Sequence, residues 1–77
     1  MFYPESVKQQ SGFCNAYAVC SSPSHARELS SGFVGPVRQI SIFADLYCEK
    51  DRLILEAPDL ETLEKLMDIL NHSIEEF

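Results

Sequence analysis

Apolar residues recur at helical intervals toward the end of the chain and at strand intervals before it. Leu60, Leu63, Met67, Leu70, Ile74 and Phe77 stand three or four residues apart, with Leu66 beside them. At 100° per residue these seven fall within an arc of about 120°, which predicts an amphipathic helix over Asp59–Phe77. Pro58 cannot continue a helix backwards. Asp59 can accept a hydrogen bond from the free N–H groups of the first turn, so the pair marks a start.

Upstream, the pattern predicts a β-hairpin of Val37–Cys48 and Leu53–Ala57, joined by Glu49-Lys50-Asp51-Arg52. Setting Cys48 opposite Leu53 places Leu46 opposite Leu55 and Ala44 opposite Ala57, with Ile40 and Ile42 extending one wholly apolar face. The other face then pairs Tyr47 with Ile54 and Glu49 with Arg52, both favourable. It also sets Asp45 against Glu56, a repulsive pair that a bulge near Asp45 would relieve.

Gly12–Ser21 reads as a further strand. Its two parities are Phe13, Asn15, Tyr17, Val19 and Cys14, Ala16, Ala18, Cys20. Both are small or apolar, as in a strand covered on two sides; a helix is the competing reading. Ser22 can cap a short helix with Pro23 in its first turn and Gly32 as its stop, carrying Ala26 and Leu29 inward. Gly35-Pro36 then breaks the chain. Residues 1–11 form an arm or one helical turn from Pro4. The expected architecture is a single α+β domain, 1–77, of order β-α-β-β-α: a three-stranded antiparallel sheet packed on the long C-terminal helix.

Composition narrows the function. Twelve acidic and six basic residues give a net charge of −6 in 77 residues, with a pI near 4.6. The basic residues are scattered, so direct nucleic-acid binding is not expected. The apolar stretches are too short to span a membrane, and the first residues lack the charged and apolar regions of a signal peptide. Cys14, Cys20 and Cys48 are an odd number and suit a reducing, cytoplasmic setting better than a disulfide framework. Their spacing from His25 and His72 matches no zinc motif. Buried small hydrophobes are the simpler account of them, although thiol redox or metal chemistry is an alternative. No phosphate-binding loop or nucleophile–base arrangement occurs, so neither an enzyme nor a cofactor is expected.

Two surfaces remain as candidates. Glu61, Glu64, Asp68 and Glu75 lie within about 60° of one another on the helix wheel, opposite the apolar stripe. They form a negative strip suited to a larger protein with a basic surface, or an ordinary solvated face. Phe43, Tyr47 and Ile54 lie on the non-core face of the hairpin, and Ile69 lies off the helix stripe. Together they are candidates for self-association as a homodimer. The alternative is that the arm, with Phe2 and Tyr3, covers the sheet. The expected function is that of a small acidic inhibitor or regulator of the size that phages and plasmids encode.

Glu56-Ala57-Pro58-Asp59-Leu60, running on to Leu63 and a long helix, resembles the second half of the small dimeric subunit of the KEOPS tRNA-modification complex. That resemblance implies a structural subunit of a multiprotein assembly. The long helix departs from the family's pattern in lacking its basic and small residues.

Overall fold

The hairpin forms in the register that side-chain alternation predicts. The computed structural model, which describes residues 2–3, 7–10 and 12–75, pairs β3 (Asp45–Glu49) with β4 (Arg52–Ala57): Cys48 opposite Leu53, Leu46 opposite Leu55, Tyr47 opposite Ile54. The pairing runs unbroken through Asp45 opposite Glu56, so no bulge forms there. The repulsion is met by Arg38, whose guanidinium donates to Asp45 Oδ1 at 3.0 Å. Two residues, Lys50 and Asp51, close the hairpin, with Lys50 in the left-handed region at φ 56°.

On its other side β4 pairs with β2 (Phe13–Val19), which pairs in turn with β1 (Lys8–Gln10). The sheet is therefore four-stranded and antiparallel, in the order β1-β2-β4-β3. The expected α+β class holds, with one strand more than the three anticipated. That strand is three polar residues at a sheet edge, too short and too hydrophilic to show in a hydrophobic pattern. It turns back into β2 through Gly12, whose φ of +83° favours a residue without Cβ.

The largest correction concerns α1, which spans Pro23–Ile40. It starts as expected, with the Ser22 side chain accepting from the His25 N–H at 3.1 Å. It then runs through Gly32 and Gly35-Pro36 rather than stopping. Ala26, Leu29, Phe33 and Val37 follow one another at three or four residues and pack inward, and this burial outweighs the breakers. Gly35 has no Cβ to clash with the Pro36 ring, and Gly32, whose carbonyl loses its donor to that ring, is solvent-exposed. Residues 37–40 are thus helix and not strand. Ile40 and Ile42 leave the core face assigned to them; Ile42 is 81% exposed in the turn before β3.

The second helix, α2 (Leu60–Glu75), opens on the predicted cap. Asp59 Oδ1 accepts from the Thr62 N–H at 2.7 Å. Leu63, Leu66, Met67 and Leu70 are buried and Ile74 is partly so, whereas Leu60, at the helix start, is exposed. Phe77 lies outside the described residues.

Both helices cover one face of the sheet, α1 mainly over β3 and α2 over β4 and β2. The helix-facing residues of β2 are small: Cys14, Ala16 and Ala18. Small strand residues let α2 sit close, so its leucines fill the space that the strand leaves. Leu53 and Leu55 of β4 are fully buried between the layers. β2 is covered on this face alone; Phe13 and Val19 on the opposite parity are exposed, which corrects the expectation of two covered sides.

The arm does not cross the open sheet face at Phe2. That residue is buried on the helix side, where its N–H donates to Asn71 Oδ1 at 2.8 Å and its carbonyl accepts from Asn71 Nδ2 at 3.0 Å.

Two measurements check this description. Phe2→Ala removes a buried ring and should cost about 3 kcal/mol in urea unfolding, a large share of the stability of so small a domain. Asp59→Ala should lower the melting temperature at pH 7. The hydrogen bond from Thr62 holds the Asp59 carboxyl below its ordinary value of 3.8, so its contribution is present above pH 3.8 and fades as pH falls below that. The melting curves of the two proteins should therefore converge in strong acid.

Candidate interaction surfaces

The acidic strip forms on one side of α2. Glu61, Glu64 and Asp68 are exposed, at spacings of three and four residues that keep them on one face. No ion pair among the described residues involves any of the three. The Glu75 side chain lies outside the described residues. Ile69 is also exposed on α2, so it stands on the helix layer, away from the sheet residues with which it was grouped.

The second surface is the open face of the sheet, whose cross-strand rows follow from the register. Val19, Arg52 and Glu49 make one row. Tyr17, Ile54 and Tyr47 make the next. Lys8, Asn15, Glu56 and Asp45 make the third. The Arg52 guanidinium lies over the Tyr17 ring, 5.3 Å from its centre, a cation–π contact between neighbouring rows. A shallow depression of about 330 Å³ runs between Lys8, Asn15, Tyr17, Tyr47, Arg52 and Ile54. Tyr47 and Ile54 are thus direct neighbours, as expected. Tyr17 joins them through the β2–β4 pairing, which sets it opposite Ile54.

Phe43 lies in the turn before β3, 68% exposed. It lines a second depression, of about 500 Å³, with Phe13, Ile42 and Glu56. The open face therefore carries the row of Tyr17, Ile54 and Tyr47 between two rows that bear charges, and a further aromatic group beyond Glu56 and Asp45. Burial, followed by the nearby charges of Glu56, Glu49 and Asp45, pushes the Tyr47 phenol above its ordinary value of 10.0. The β3 side of the face is correspondingly negative.

The three thiols are free. Burial pushes Cys20 above its ordinary 9.0, with Asp51 and then Cys48 adding to the effect. That direction is opposite to an activated thiolate. No group of three or more His, Cys, Asp or Glu residues suited to a metal ion occurs among the described residues. Nor is any helix among them long and apolar enough to cross a membrane.

Comparison with protein-family models, curated proteins and solved structures finds no match. The resemblance at Glu56–Leu63 to the KEOPS subunit is thus not accompanied by a family match.

The burial of the thiols has a direct readout. With a chromogenic disulfide reagent at pH 7, the half-buried Cys48 should react first, with Cys14 and Cys20 modified only as the protein opens. Rapid labelling of Cys20 in folded protein would contradict the burial described.

Proposed function

We propose that this chain is a non-enzymatic protein-interaction module whose α2 docks on a basic surface of a larger protein and blocks or modulates it. The observation that carries this reading is the exposed run Glu61, Glu64 and Asp68 on a helix anchored by Leu63, Leu66, Met67 and Leu70. The anchoring holds three carboxylates at fixed spacing, and no ion pair among the described residues neutralises them.

A helix selected for stability alone would alternate its charges. Glu64 and Asp68, one turn apart, instead repel by a few tenths of a kcal/mol. A basic partner removes that repulsion, and the uncompensated field speeds its approach. Glu75 extends the same line on the helix wheel. The three free thiols suit action in a reducing, cytoplasmic setting.

The test is capture of the partner by the tagged protein from its own cells. Capture should weaken steeply with salt. Glu64→Lys combined with Asp68→Lys should reduce affinity at least about tenfold while leaving the circular dichroism spectrum intact, because both side chains are exposed. Undiminished capture by a folded double variant would refute the reading.

A further inference from the structure

The open sheet face carries its charges in a pattern complementary to its own two-fold image. Lys8 stands at the β1 end of the third row, and Glu56 and Asp45 stand together at the β4–β3 end. Within one chain Lys8 pairs with neither carboxylate among the described residues. Asp45 stands on the opposite edge, three strand spacings or about 14 Å away, and Glu56 two spacings away. Arg38 engages one oxygen of Asp45 and leaves the other free, and Glu56 has no ion pair among the described residues.

We infer that this face binds a second copy of the chain, stacked face to face about a two-fold axis that runs parallel to the strands between β2 and β4. Such an axis keeps each row at its level and exchanges its ends. Lys8 then faces Asp45 of the second copy and reaches toward its Glu56, and the reciprocal pair forms at the other edge. Asn15 faces Glu56 of the second copy and can donate its amide N–H to it. One level away, Tyr17 packs on Ile54 of the second copy and Ile54 on its Tyr17, which closes the apolar row from water.

The other in-plane axis, across the strands, pairs its charges less well. Centred on the tyrosine row, it sets Arg52 against Glu56 of the second copy but also Glu49 against its Asp45, and it moves Lys8 away from both carboxylates. Centred on the charged row, it sets Lys8 on Lys8 and Glu56 on Glu56. Facing sheets cross at about 30°, which displaces the edge residues by about 4 Å, a distance that a lysine side chain spans. Four strands of this length offer a footprint of roughly 300–400 Å² per protomer, below that of a standard specific interface, so the dimer is a weak one in exchange with monomer.

This inference does not depend on the acidic strip. α2 lies on the other side of the sheet, so a dimer built in this way presents two acidic strips outward.

The test combines sedimentation equilibrium with zero-length crosslinking of the full chain. The wild-type protein should show a concentration-dependent monomer–dimer equilibrium. Ile54→Lys, on the solvent side of the sheet, should raise the dissociation constant at least about 30-fold with an unchanged circular dichroism spectrum. The Glu64→Lys, Asp68→Lys variant should dimerise as the wild type does. Carbodiimide treatment of an equal mixture of ¹⁴N- and ¹⁵N-labelled protein should give Lys8–Asp45 or Lys8–Glu56 crosslinks that join light to heavy peptides. A monomer up to hundreds of micromolar would overturn the inference. So would a dimer indifferent to Ile54→Lys, or crosslinks of these pairs that join only peptides of one isotope. A monomer whose open face holds a different protein would overturn it as well.

Discussion

The burial of Leu53 and Leu55 on β4 is the constraint on which the other elements depend. β4 is hydrogen-bonded on both sides, to β2 and to β3, and it lies beneath both helices. Two leucines on one strand thereby fix the sheet order, the side on which the helices lie and the closeness of their approach. A chain of this length buries only about 60% of its unfolded surface, so it has little redundancy. The small residues of β2 belong to the same arrangement. Alanine at positions 16 and 18 lets the leucines of α2 come down onto the sheet, and larger side chains there would lift α2 off β4.

Much of this was legible in the residues. The β3–β4 register followed from a period of two and a consistent set of cross-strand pairs. α2 followed from its three- and four-residue spacing and from the Pro58-Asp59 start. What misled was local chemistry that tertiary packing overrode. Gly32 and Gly35-Pro36 are breakers by propensity, yet Phe33 and Val37 continue the inward spacing of Ala26 and Leu29, and α1 follows the burial. β1 was hidden because an edge strand of Lys-Gln-Gln has no apolar residue and is held by main-chain bonds that carry no hydrophobic signature.

The interaction surfaces were partly legible for related reasons. Three acids at helical spacing need only one correctly placed helix, so Glu61, Glu64 and Asp68 could be found in isolation. The sheet face needs four strands in order, and its members come from residues 8 to 56. Tyr47 and Ile54 belong to one hairpin and were found together. Tyr17 and Lys8 depend on the β2–β4 and β1–β2 pairings, which no local pattern announces. Ile69 was grouped with the sheet residues because a helix wheel shows which residues leave the stripe but not which layer they face. The molecule has two chemically distinct sides, a helix layer with an acidic strip and an aromatic sheet face, on opposite faces of the sheet.

The pairing of Phe2 with Asn71 ties together positions 69 residues apart. Closing a loop of that length is entropically costly until the intervening chain is already compact. The arm therefore has a docking site only after α2 has settled on the sheet, and it is among the last contacts made as the chain folds. The Phe2–Asn71 bonds belong neither to the sheet ladder nor to a helix backbone, so opening them breaks no main-chain pairing, although it exposes the Phe2 ring. The arm is thus a late seal over α2, set in place once the layers beneath it have packed.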